Sequence, residues 1–221
     1  MINDEARMTP PFSQSPYYPA PPAKPLDASA LHALLKPLMK LVIASTGASG
    51  AIYLQRLLDW IEPAAHEVHL VLSEHARQVI AEEIGELRVP EGVVQHGDQT
   101  MHVPFVSGTA RFDAMVIVPC SMGTLGRIVA GTSETTILRA ADVFLKERRR
   151  LILVPRETPW SLVHARNVVA VTEAGALVLP ATPSYYSHPK SVGEVADTVV
   201  FRILDQLGLP VPQAFRWQDK S

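Results

Sequence analysis

Short apolar strands alternating with amphipathic helices predict an α/β protein: a Rossmann-like, doubly wound three-layer sandwich with a mostly parallel sheet. Three observations carry this. Apolar runs at 41–44, 68–72, 114–118, 151–154 and 176–179 are nearly unbroken, the mark of strands buried on both faces. Stretches with helical spacing separate them. Polar turns follow their carboxyl ends, where open parallel sheets bind ligands.

Taken in order, Leu41-Val42-Ile43-Ala44 is the first strand, and Thr46-Gly47-Ala48-Ser49-Gly50 is the turn after it. Ile52, Leu54, Leu57, Leu58 and Ile61 then keep helical spacing. Val68 to Leu72 is the second strand, and Ser73 can cap the helix that carries Ala76, Val79 and Ile80. Residues 85–112 predict a long irregular connection with one short strand. The third strand, Ala114 to Val118, ends at Pro119-Cys120-Ser121, and helices are expected near 122–130 and 134–148. Leu151 to Val154 is the next strand and runs into Pro155-Arg156-Glu157. A helix over 160–172, a strand over 176–179 and a last helix over 191–207 complete the domain, 39–212. Residues 213–221 read as a C-terminal tail.

Residues 1–38 differ from the rest. Eight of the 19 prolines fall there. Proline lacks a backbone donor and fixes φ, so this extension is expected to be extended or mobile.

Composition narrows the function. The 221 residues carry 20 basic and 22 acidic side chains, a balance without the basic footprint of a nucleic-acid binder. The single Cys120 excludes a disulfide framework and a cysteine zinc site. Its place at a strand end suits a small buried residue better than a nucleophile. The histidines show no metal-ligand spacing, and no metal is expected. No apolar run approaches the roughly 18 residues of a membrane span. The N-terminus has no apolar signal core, and Asp4 and Glu5 argue against a transit peptide. A cytoplasmic protein is the default.

The candidate site is the rim where the strands end. Gly47 and Gly50 would let backbone N–H groups approach an anion at a helix N-terminus, and a tight turn would need them too. The full dinucleotide glycine pattern is missing, so a mononucleotide such as FMN fits better than NAD. Ser121 and Thr124 open a helix, as caps or as ligands. Arg139 and Lys146 share one helix face, either a solvated basic stripe or an anion cradle. Arg156-Glu157 follows a buried strand, as a structural ion pair or as an anion-binding arginine beside a proton-transferring glutamate. The rings of Tyr185 and Tyr186 are open to core packing as well as to a site role.

Six segments together resemble one family. They are Ser45 to Ala51, Pro119 to Leu125, Leu138 to Arg148, Leu153 to Glu157, Pro183 to Pro189 and Val200 to Leu204. In this order they are similar to the flavin prenyltransferases of the UbiX type, over about residues 40–212. The resemblance implies a flavodoxin-like Rossmann fold. It implies metal-independent transfer of the dimethylallyl group of dimethylallyl phosphate to N5 and C6 of reduced FMN. The product, prenylated FMN, would serve UbiD-type decarboxylases. It also implies a homododecamer with sites at subunit junctions. Position by position, Gly47, Ala48, Ser49, Ser73, Ser121, Met122, Gly123, Thr124 and Arg139 match flavin contacts, with Ser49 near N5. Lys146, Arg156, Tyr186 and Arg202 match the prenyl-phosphate cradle. Glu157 matches the acid that manages protons, and with Ser49 it makes up the expected catalytic pair. The segment 98–106 lacks the tryptophan that some members carry before the Ser-Gly pair, here Ser107-Gly108.

Two other readings compete. A flavin-dependent cysteine decarboxylase would carry a histidine before the third strand and a Met-Asn substrate clamp, and neither is present. A flavin carrier without chemistry would have no use for Lys146, Arg156 and Glu157.

Overall fold

The computed structural model describes residues 39–216. Within them the chain forms six parallel strands: β1 (Lys40–Ser45), β2 (Glu67–Leu72), β3 (Val94–Gly97), β4 (Ala114–Cys120), β5 (Arg150–Pro155) and β6 (Leu177–Val178). Their order is β3-β2-β1-β4-β5-β6. Without the short edge strand β3, the remaining five follow the flavodoxin-like order, and β3 extends it by one position.

The helices are α1 (Ala51–Trp60), α2 (Glu74–Glu83), α3 (Met122–Val129), α4 (Thr136–Lys146), α5 (Leu162–Glu173) and α6 (Val192–Leu207). Strand alternation divides the interior between the two faces. Leu41, Ile43, Val116 and Val118 pack with α1 and α6, while Val42, Ala44, Met115 and Ile117 pack with α3 and α4. Burial of β1, β4 and β5 on both faces explains their nearly continuous apolar sequence. No helix among the described residues is long and apolar enough to cross a membrane.

Several boundaries depart from the sequence reading, among them α4, which spans Thr136–Lys146 rather than 134–148. β4 runs through Pro119 to Cys120, because its register with β5 shifts between Ile117 and Cys120 and so accommodates a residue without an N–H. β6 has two residues rather than four, although Leu179 N still reaches Leu153 O at 2.8 Å. α5 begins at Leu162 rather than 160. The long connection holds β3 and one short 3₁₀ turn, Pro104–Val106. The expected N-terminal extension, 1–38, lies outside the described residues, as does the end of the C-terminal tail, 217–221.

Candidate active site

The strand order reverses between β1 and β4, and the crevice at their carboxyl ends is where such a sheet binds ligands. The chain ties this crevice together with a buried hydroxyl. Thr46 Oγ1 donates to Pro119 O at 3.3 Å and accepts from Ser121 N at 2.8 Å. Thr46 N also donates to Pro119 O at 3.1 Å, and Ser73 N to Ser45 O at 3.1 Å. The ends of β1, β2 and β4 are thereby fixed relative to one another. A cavity of about 290 Å³ opens above them. Gly47, Ser73, Ser121 and Thr124 line it, with Ile137 and Leu138 as an apolar wall and Asp98, Gln99, His75 and Arg127 as further polar groups.

Gly47 has a steric reason here. A Cβ at this position would lie 2.5 Å from the His75 Cβ. Ser73 caps α2 by accepting from Ala76 N at 3.1 Å, and Ser121 caps α3 by accepting from Thr124 N at 3.2 Å. Capping and lining the cavity are thus compatible roles. Met122 does not line the cavity, and its side chain is buried in the core beneath α3. Gly123 faces open space in the first turn of that helix.

The turn after β1 differs from expectation at its far end. The N-terminus of α1 receives an anion from the protein itself. Glu83 Oε2 accepts from Gly50 N at 2.9 Å and from Ala51 N at 2.8 Å. Gly50 adopts φ 119°, a left-handed conformation that a side chain would strain. Burial alone would raise the Glu83 carboxyl. Hydrogen bonds from Ser49, Gly50 and Ala51, with the Arg156 charge nearby, outweigh it and hold the group below the usual carboxylate range. Sequence reasoning missed Glu83, because it stands beside Glu82 and close to Glu86 at a helix end, where acids usually face water. Burial raises the Tyr53 phenol, against the lowering influence of Arg156, and Tyr185 adds to the rise. Ser49, Glu83, Tyr53 and Arg156 thus form a second cluster beside the crevice.

Arg156 and Glu157 are not paired with each other. Both are exposed, and Glu157 Oε1 accepts from Thr158 N at 3.0 Å. The structural ion pair is therefore absent, and both charges are available to a ligand. Arg139 bonds Asp142 Oδ2 at 2.8 Å and Val106 O at 3.3 Å. Lys146 pairs with Glu147, and Arg202 with Asp205 at 3.1 Å. The exposed Tyr186 ring stacks on Phe215, with centroids 6.4 Å apart. None of Arg139, Lys146, Arg156, Glu157, Tyr186 or Arg202 lines the crevice cavity. Of the expected flavin residues, Gly47, Ser73, Ser121 and Thr124 line the cavity, and Ala48, Ser49, Met122, Gly123 and Arg139 do not. Of the expected phosphate residues, Arg202 lines a second cavity with Phe215, the ring on which Tyr186 stacks. Cys120 is fully buried, and burial pushes its thiol up to about 12, which removes it as a nucleophile.

The flavoprotein family model matches residues 31–204. A probable UbiX-like flavin prenyltransferase of Bacillus subtilis is 42% identical over 184 residues, covering 81% of this chain and 89% of that protein. The crystal structure of AnUbiX (PadA1) in complex with FMN and dimethylallyl pyrophosphate is 39% identical. Its TM-score is 0.77, over 83% of this chain and 99% of that one. A dodecameric FMN-dependent UbiX-like decarboxylase from Escherichia coli O157:H7, also 39% identical, has a TM-score of 0.74 over 81% of this chain and all of that one.

Proposed function

The chain belongs to the flavoprotein family and, within it, to the UbiX-type flavin prenyltransferases, and on that premise we propose how its residues divide the work. The enzyme joins the dimethylallyl group of dimethylallyl phosphate to N5 and C6 of reduced FMN. The carbon–oxygen bond to phosphate breaks as N5 bonds the allylic carbon and gives up its proton. The remaining carbon–carbon double bond then takes up a proton, its other carbon bonds C6, and the C6 proton leaves.

The observation that carries this reading is the crevice cavity. Its floor is Gly47, Ser73, Ser121 and Thr124, residues assigned to flavin from sequence. Its hydroxyl and backbone donors suit the polar flavin edge and ribityl chain, and Ile137 and Leu138 suit the ring face. Ala48 and Gly123 contribute backbone, and Arg139 reaches the flavin from α4. Ser49 hydrogen-bonds Glu83 in the cluster beside the crevice, which supports a role for its hydroxyl between flavin and prenyl donor.

A departing phosphate needs cations and a proton. Arg156 carries no ion pair among the described residues and supplies the first charge. Lys146, Tyr186 and Arg202 supply the rest, turned from their present partners toward the ligand. Glu157 hands a proton to the phosphate and helps remove the C6 proton. These groups converge only when neighbouring chains meet, so the working form is a homododecamer with sites at subunit junctions. Apolar side chains left exposed at Trp160, Leu162, Val163 and Val169 support such contacts. The product leaves for a UbiD-type decarboxylase, and the reading places the enzyme in the cytoplasm.

The test is anaerobic incubation with reduced FMN and dimethylallyl phosphate, with and without chelator. Released flavin heavier by one five-carbon unit in both samples is expected. Flavin of unchanged mass contradicts the activity, and rescue by added magnesium alone contradicts the metal-free course.

A further inference from the structure

The edge strand β3 is fastened to β2 by a histidine pair that prenyl transfer does not use. His69 Nδ1 lies 2.7 Å from His96 Nε2, and the rings are nearly parallel, at 9°, with centroids 5.0 Å apart. His69 is buried, and its Nε2 is 3.1 Å from Glu67 Oε1. The other Glu67 oxygen pairs with Lys40 Nζ. The edges of Phe105 and Phe112 close on the His69 ring at 5.4 and 5.2 Å. Lys40 Nζ lies over the Phe112 ring, and Lys40 N donates to Asp113 Oδ2 at 2.7 Å. The charged groups around the pair are thus Glu67, Lys40 and, behind it, Asp113.

The bonds dictate the proton count. A carboxylate only accepts, so His69 Nε2 carries hydrogen and Nδ1 presents its lone pair. His96 Nε2 then donates to that lone pair. One further proton can sit on His96 Nδ1 without disturbing this chain. A second, on His69 Nδ1, would set N–H against N–H and place two like charges 2.7 Å apart. The closed pair therefore accepts one extra proton and refuses two. Burial holds His96 below the ordinary imidazole range.

What β3 carries lies at the crevice. Gly97 O and Thr100 O both accept from Thr136 Oγ1, at 3.1 and 2.5 Å. Asp98 O accepts from Thr136 N at 2.8 Å, and Asp98 Oδ1 from Ile137 N at 2.9 Å. The end of β3 thus holds the first turn of α4, and Asp98, Gln99, Ile137 and Leu138 are cavity wall.

We infer that the His69–His96 pair is a proton-sensitive latch that holds the β3 and α4 wall of the flavin cavity closed, an inference that rests on the flavin reading of that cavity. In the open form both rings are free to take up a proton, near the ordinary imidazole pKa of about 6.5, whereas the closed pair has room for only one. The open form therefore takes up more protons as pH falls, so closure is firm above about pH 6.5 and weakens below it. His66 is also held low by burial, but it precedes β2 and acts on overall stability in every variant.

The test compares the full chain with His96→Gln, whose amide can still donate to His69 Nδ1 but cannot titrate; His96→Asn is the second variant should the first misfold. FMN binding is titrated by fluorescence at about pH 7.5 and about pH 5.5. The wild type is expected to lose about tenfold in affinity at the lower pH, and the variant less than about twofold. Hydrogen-exchange protection of the 94–97 amides, without added flavin, should fall with pH in the wild type alone. Equal pH responses in wild type and variant, in both measurements, overturn the latch. Exchange that responds as expected in a chain that binds no FMN at either pH upholds the latch and overturns the flavin reading instead.

Discussion

The crevice between β1 and β4 and the surface after β5 sit at the same edge of the sheet, yet they are built in opposite ways. At the crevice one chain satisfies its own polar groups. The Thr46 hydroxyl is buried and doubly bonded, and the Ser73 and Ser121 side chains bond within their own helix ends. After β5 the chain leaves charged and apolar groups exposed. Arg156 and Glu157 are exposed and not paired with each other, and α5 buries only Val171 while Leu162, Val163 and Val169 stay in the open. The first region is finished by folding. The second has the composition of a surface that a neighbour covers.

The largest effect that would sharpen this contrast is chemical. Glu157→Gln keeps size and hydrogen bonding and removes the titratable group. Turnover should fall about 10²-fold, the usual scale for an acid–base group, while FMN affinity stays at the wild-type value. Single-turnover rates and flavin titration on one preparation check both. Near-normal turnover would remove Glu157 from the catalytic list.

Next comes assembly. Replacing Leu162 and Val163 by Glu puts charge on an apolar surface without touching the crevice. Light scattering should show smaller species, and turnover should drop by more than about tenfold because the cradle is no longer assembled. FMN binding should persist. Full activity in the smaller species would show that one chain suffices.

The smallest effect belongs to the finished region. Thr46→Val keeps shape and leaves Ser121 N without its partner, while Pro119 O keeps the bond from Thr46 N alone. A loss of about 1–3 kcal/mol in stability is expected, with weaker flavin binding, and denaturant unfolding measures it. An unchanged midpoint would mean that the crevice is held by other bonds.

The same contrast explains what could be read from the chain. Strands buried on both faces announce themselves as apolar runs, and every expected strand is present. The short edge strand β3 was expected without a location, because Val94, Gln95 and Gly97 are exposed and carry no burial pattern. Gly47, Ser73, Ser121 and Thr124 were legible because a topological rule places turns after parallel strands at one rim. Glu83 was not, since it reaches Gly50 and Ala51 from the far end of a helix 32 and 33 residues away, and nothing local marks that approach. That Arg139, Lys146, Tyr186 and Arg202 all stand outside the crevice cavity was equally invisible, because a motif names residues without saying which chain's site they serve.

The central claim is that flavin is held by one chain and the prenyl phosphate is gripped with help from another. Mixed assembly tests it most directly. Glu157→Gln and Arg202→Ala are each expected to be nearly inactive alone. Co-expressed, they should form mixed oligomers in which some junctions combine an intact Glu157 with an intact Arg202 from a neighbour. The account predicts activity well above either parent. Mixed oligomers that assemble normally and remain as inactive as the parents would contradict it, and would place both residues in the site of a single chain.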